Sequence, residues 1–229
     1  MQTPRTKAAR SLPKNWFAAH PRESIAALLV VLAAVWLLWP SPYASVKNLA
    51  SPGSSVISFG DSLTSGYGGS AGEDYPSGLS KRINVPVVNA GVSGDTTQSA
   101  LARIDVAVLA AKPRIVIVGL GGNDFLGGVV IATTEANLRT IVREIQGAGA
   151  MVVLLGFSFP SLTADYAAMY ERVAEDEGCL LVPRVMKGIL TDRTLKNDEI
   201  HPNARGYALM AERIAPYVGK LIEEADERR

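Results

Sequence analysis

With 229 residues, 48% of them hydrophobic and 20% charged, the chain has the makings of one ordinary globular domain plus an appendage. Its net charge of +1 conceals an uneven split. Residues 1–23 carry Arg5, Lys7, Arg10, Lys14 and Arg22 against Glu23 alone, which leaves the rest mildly acidic and offers no basic surface for nucleic acid. The single cysteine, Cys179, excludes an intramolecular disulfide and a cysteine-built zinc site, and within Gly178-Cys179-Leu180-Leu181 it reads as a small core residue.

The first element is an uninterrupted apolar run, Ile25 to Trp39, behind the basic residues 1–23 and ahead of Pro40-Ser41-Pro42-Tyr43. Its helix would rise about 22 Å against a hydrocarbon core of roughly 30 Å. Ser24 and the flanking Trp16, Phe17, Trp36, Trp39 and Tyr43 suit the interfaces and extend the span. A secretory signal peptide and an uncleaved anchor both fit. The bulky Trp39-Pro40 end, without a small-x-small cleavage pattern, favours an anchor over residues 24–39. The basic flank keeps residues 1–23 in the cytoplasm and puts the body of the chain outside the membrane, in the periplasm of a bacterium, or free there if the segment is cleaved. Residues 40–54, rich in proline and serine, read as a linker, and 55–229 as the domain.

From Val56 onward, short apolar runs alternate with helical patterns. The expected strands are 56–59, 85–88, 115–118, 151–155 and 180–182. Their near-continuous apolar character predicts burial on both faces. The expected helices are 75–83, 96–111, 133–148, 163–177 and 203–223, with glycines at 147, 149 and 178 in stop positions. Five strands alternating with helices predict a three-layer α/β/α sandwich on a five-stranded parallel sheet. Ligands of such sheets bind beyond the carboxyl ends of the strands. Ser62 follows the first strand, Gly94 the second and Asn123 the third, while Asp198 and His201 precede the last helix.

Each of these segments is modest evidence alone. Gly60-Asp61-Ser62-Leu63 at a strand-to-helix turn can present a hydroxyl, although a helix-capping Asp or Ser explains the same letters. A serine nucleophile needs a base, and imidazole suits that task near neutral pH. The chain has two histidines, and His20 lies before the apolar run, which leaves His201. Asp198, three residues earlier, can turn back to hold the imidazole, with Asp192 as a less constrained spare. Donors for a developing oxyanion are available around Gly94 and from the Asn123 amide, though Gly and Asn are also plain turn formers. Ser93 is a rival nucleophile that lacks the glycine at 95 required by a G-x-S-x-G elbow. The loop 125–130, with Gly127-Gly128 between apolar residues, is either a lip over an acyl chain or a plain connection.

Taken together the four segments resemble the SGNH (GDSL-type) hydrolase family, with its blocks in order at 60–63, 91–95, 121–124 and 198–201. VVNAGVSGDTTQSALAR and PRIVIVGLGGNDFL are most similar to the bacterial periplasmic thioesterase/lysophospholipase branch, which also holds arylesterases. The resemblance implies a flavodoxin-like SGNH fold. It implies Ser62 as nucleophile, His201 as base, Asp198 as its orienting acid, and an oxyanion hole of the Ser62 and Gly94 N–H groups with the Asn123 side chain. The expected partners are an acyl-ester substrate and the membrane, with no cofactor, metal or nucleic acid. Two other functions fit parts of the sequence: a carbohydrate O-acetylesterase acting on envelope polysaccharide, and a non-catalytic membrane-tethered binding domain. Residues 157–196 match no substrate-specific pattern and leave the acyl group open.

Overall fold

Apolar runs of three to five residues, too short to bury a helix face, form the five strands: β1 (Val56–Gly60), β2 (Val87–Gly91), β3 (Ile115–Gly119), β4 (Met151–Leu155) and β5 (Leu180–Val182). The computed structural model describes residues 25–26, 28–31, 41–157 and 164–229. The strands pair in parallel in the order β2-β1-β3-β4-β5. Between and after them come α1 (Ser62–Ser65), α2 (Tyr75–Ile83), α3 (Thr97–Leu101), α4 (Ile104–Ala107), α5 (Gly122–Leu126), α6 (Ile131–Gly147), α7 (Ala164–Glu177) and α8 (Ala204–Asp226).

Right-handed crossovers explain the layering. The chain steps from β1 to β2 in one direction and then returns across β1 to β3, β4 and β5, so helices must cover both faces of the sheet. Accordingly α2 packs with the final helix α8, while α6 packs with both α3 and α7. The step reverses at β1, which makes the β1/β3 end a topological switch point. Gly60, Gly91 and Gly119 stand in register there, so three chain segments leave the sheet at one level.

Strands β1, β3 and β4 are buried throughout, with Phe59, Ile117 and Leu154 inaccessible to solvent. Strand β2 departs from the expectation of two covered faces. It lies at the sheet edge, and Val88 is half exposed. Its pairing also begins two residues later than expected. Pro86 has no N–H to give the ladder, and polar Asn89 is accommodated inside the strand because its amide donates to the Thr64 carbonyl, 2.8 Å.

The helix expected over 96–111 is three pieces: α3, α4 and a 3₁₀ turn at Leu109–Ala111. The first break falls at Arg103 (φ −116°, ψ 4°), whose side chain reaches back to the strand ends. Helices α1 and α5, of four and five residues, were not expected, because one turn is too short to show a period.

The chain divides into two compact units, 1–41 and 42–229. In the first, residues 25–26 and 28–31 are helical, and Ile25, Leu28, Leu29, Val30 and Val31 are exposed. The rest of the expected anchor 24–39, and all of segment 1–23, lie outside the described residues. Among the described residues no helix is long and apolar enough to cross a membrane. Residues 42–54 of the expected linker belong to the second unit and pack within it. Val46 and Leu49 are buried, the Lys47 N–H donates to the Gly178 carbonyl (3.0 Å), and the Asn48 amide donates to the Gln146 and Ala150 carbonyls.

Candidate active site

The site begins where β1 ends. Asp61 caps α1, its buried carboxylate accepting from the Leu63 N–H at 2.9 Å, and this turn places Ser62 at the first helical position. Gly91 is required beside it: a Cβ there would lie 2.2 Å from the Ser65 nitrogen, so β2 approaches the α1 backbone only as glycine.

The loop after Lys196 supplies the second part. A bridge between Lys196 and Pro202, with the Asn197 N–H donating to the His201 carbonyl at 2.9 Å, closes a tight turn ahead of α8. Asn203 caps that helix through the N–H groups of Arg205 and Gly206. Inside the turn, Asp198 Oδ1 accepts from the N–H groups of Ile200 and His201, both at 2.9 Å. His201 Nδ1 lies 2.8 Å from Asp198 Oδ2, and its Nε2 lies 3.0 Å from Ser62 Oγ. Burial alone would raise the Asp198 pKa, but the hydrogen bonds from Ile200 N–H and from the His201 ring and N–H outweigh it and hold the carboxyl below the usual range. The Tyr67 ring stands 4.4 Å from the imidazole, centroid to centroid, and closes one side of it.

The third part comes from β2 and β3. Gly121 begins α5 at φ +110°, and a Cβ there would meet the Tyr170 hydroxyl at 2.6 Å, so the turn that delivers Asn123 requires glycine. One Asn123 Nδ2 hydrogen is donated to the Asp95 carbonyl at 2.8 Å. Asp124, buried, accepts from the N–H (2.8 Å) and hydroxyl of Thr97, which locks α5 to α3. Among the described residues, the N–H groups of Ser62 and Gly94 donate to no protein acceptor.

Ser62, Asn123 and His201 line one cleft of about 500 Å³, measured to its open mouth, with apolar walls from Leu63, Phe125, Leu126, Leu190 and Ile200. Gly94 (φ +86°) is exposed and stands outside the residues lining that cleft, on the loop whose Asp95 carbonyl holds Asn123. The rival serine, Ser93, pairs with the Ser65 hydroxyl at 2.9 Å. The spare acid, Asp192, accepts from the N–H and hydroxyl of Thr194, which hold its pKa down in a turn of its own. Cys179 is buried, and burial pushes its thiol up to about 12.

Three acids lie inside the expected blocks: Asp61, which the sequence offers as a helix cap and which caps α1, and Asp95 and Asp124, to which the sequence assigns no contact. Burial, with Asp95 and Asp124 nearby, pushes Asp61 up to about 7 despite the Leu63 N–H. Their only signal in sequence is adjacency to Ser62, Gly94 and Asn123, which a turn-forming Asp shares.

Comparison with known proteins converges on one family. The model of the GDSL-like lipase/acylhydrolase family matches residues 58–209. Thioesterase 1/protease 1/lysophospholipase L1 of Escherichia coli is 32% identical over 195 residues, covering 80% of this chain and 94% of the relative. Esterase TesA of Pseudomonas aeruginosa is 30% identical over 178 residues, covering 73% of this chain and 89% of the relative. The crystal structure of the psychrotrophic esterase EstA from Pseudoalteromonas, inhibited by monoethylphosphonate, superposes with a TM-score of 0.67 at 26% identity, covering 74% of this chain and 99% of that one.

Proposed function

This chain belongs to the GDSL-like lipase/acylhydrolase family and is an ester hydrolase, and from that premise we propose that Ser62, His201 and Asp198 are its nucleophile, general base and orienting acid. The observation that carries the reading is the continuous relay of contacts, Ser62 Oγ to His201 Nε2 at 3.0 Å and His201 Nδ1 to Asp198 Oδ2 at 2.8 Å. Ser62 attacks the ester carbonyl as His201 takes its proton. The tetrahedral oxyanion is received by the Ser62 and Gly94 N–H groups and the remaining Asn123 amide hydrogen. His201 then protonates the leaving alcohol, and the same base activates the water that releases the acid from Ser62. Asp198, ionised because its oxygens are saturated with donors, holds Nδ1 protonated and Nε2 free to accept.

The preferred substrates are acyl esters of lipids, with thioesters also within reach of the chemistry. The apolar side chains that line the cleft with Ser62 favour an acyl chain over a sugar, which would seek polar partners. Residues 24–39 hold the enzyme at the cytoplasmic membrane with its domain on the outer side; the apolar run, the basic flank and the exposed Ile25, Leu28 and Leu29 support that placement.

A fluorophosphonate probe tests the nucleophile. Labelling of the full chain that disappears in Ser62→Ala is expected, while labelling that survives in Ser62→Ala would overturn the assignment. A profile of p-nitrophenyl esters sets the acyl class: activity confined to acetate would favour the carbohydrate O-acetylesterase reading instead.

A further inference from the structure

Arg103 touches none of the groups assigned to the reaction, yet its guanidinium joins the end of β1, the end of β2 and the loop that follows β2. Its Nε donates to Asp95 Oδ2 at 2.6 Å, and its Nη2 donates to the carbonyls of Gly60 (3.1 Å) and Ala90 (3.0 Å). The guanidinium carbon also stands 4.5 Å from the centre of the Phe59 ring. Gly60 ends β1 two residues before Ser62, and Ala90 lies next to last in β2. Asp95 is the residue whose backbone carbonyl fixes the Asn123 amide. Its side chain is 8% exposed and that of Arg103 24%, so the pair is largely withdrawn from water.

We propose that Arg103 and Asp95 form a positioning pair for the oxyanion donors, setting the distance from the Ser62 turn to the 91–95 loop and, through the Asp95 carbonyl, to Asn123. The proposal rests on the roles given above to Ser62 and Asn123. A planar fork with five fixed donors can hold a carboxylate and two strand-end carbonyls at once, whereas an ammonium is a point charge on a flexible stem. Without Arg103 the carboxylate of Asp95 loses its cation in a nearly buried place, and the loop keeps the Asp95 N–H to Val92 carbonyl bond, the Ser65–Ser93 contact and the Ser99 hydroxyl on Asp95. The Val92 N–H also donates to the Gly60 carbonyl at 2.9 Å and keeps the loop at the end of β1, but among the described residues only the guanidinium joins the Asp95 side chain to the ends of β1 and β2. A misplacement of about 1 Å at a catalytic group costs on the order of 10²-fold in rate.

The test is a double-mutant cycle in the full chain, with kcat and KM for p-nitrophenyl butyrate and inhibition by an alkyl trifluoromethyl ketone, whose adduct carries the oxyanion. Arg103→Gln should lower kcat by about 10- to 50-fold with KM within about twofold, and weaken the ketone by a similar factor. In an Asn123→Ala background the same substitution should cost at least about threefold less than in the parent, because the share of the loss that comes from a misplaced amide is gone. Asp95→Asn keeps the shape and the backbone carbonyl, should show a smaller loss with the same coupling, and carries the test if Arg103→Gln fails to fold. The proposal is overturned if Arg103→Gln and Asp95→Asn leave kcat within twofold, or if the loss is equal in both Asn123 backgrounds, as a purely structural role would give. An unchanged kcat in Asn123→Ala alone would overturn the oxyanion assignment itself, a result separate from a failed coupling.

Discussion

Two clusters of charged side chains in this domain use the same residue types to different ends. On the seam between α6 and α7, Arg139 pairs with Glu135 (2.7 Å), Asp176 (2.8 Å) and Glu177 (3.1 Å), Arg143 pairs with Glu177, and Arg172 pairs with Glu135. Each carboxylate there has a guanidinium against it. Arg143 chiefly lowers the Glu177 pKa and Arg172 chiefly lowers that of Glu135. At the strand-end corner, Asp61 and Asp124 are held by backbone N–H groups and a hydroxyl, and Asp95 by a guanidinium shared with two carbonyls. The partners at the seam belong to helix surfaces, whereas at the corner Asp61 and Asp124 stand beside Ser62 and Asn123 on the segments that carry them and are held by Leu63 and Thr97. The seam therefore ties two helices together, and the corner fixes where the proposed nucleophile and oxyanion donor stand.

The largest expected contrast lies in catalysis. His201→Ala should lower kcat by on the order of 10⁵- to 10⁶-fold, the scale seen when a nucleophile or base of such a unit is removed. Steady-state assays with and without a fluorophosphonate check it, and a loss under tenfold would sink His201 as the base.

Next comes pH. Asp61 ordinarily titrates near 3.8 and is pushed to about 7 by burial, so between those values the folded chain holds a proton that the unfolded chain has released. Stability should therefore fall as pH rises from about 4 to about 7. Each pKa unit is worth about 1.4 kcal/mol, so the effect is measurable. Asp61→Asn keeps an acceptor for the Leu63 N–H and should flatten that slope; urea midpoints from pH 4 to 8 that are parallel in both proteins would refute it. Asp198 acts in the opposite sense. Its folded pKa lies below the ordinary value, so its contribution is present above 3.8 and lost as pH falls below it.

The smallest effect belongs to the seam. Arg172 is half exposed, and solvent screens its pair with Glu135. Arg172→Ala should leave kcat unchanged and shift Tm by less than about 3 °C. A loss of activity there, by calorimetry and assay together, would erase the distinction between the two clusters.

The alternation of apolar runs with helical patterns is written in the sequence, and with it a parallel sheet whose carboxyl edge gathers Ser62, Asn123, Asp198 and His201. The burial of β1, β3 and β4 and the placement of the loops follow from local composition, so they are legible one segment at a time. The histidine was legible by elimination, there being two in the chain. What only the tertiary structure decided depends on contacts between distant segments. Strand order left β2 at the edge with Val88 exposed. Turn geometry gave His201 the carboxylate of Asp198 and sent that of Asp192 to Thr194. The expected helix is interrupted at Arg103, the residue whose guanidinium reaches Gly60, Ala90 and Asp95. Helix periodicity registers which residues share a face, and it carries no record of a side chain that leaves its helix to hold two strand ends together.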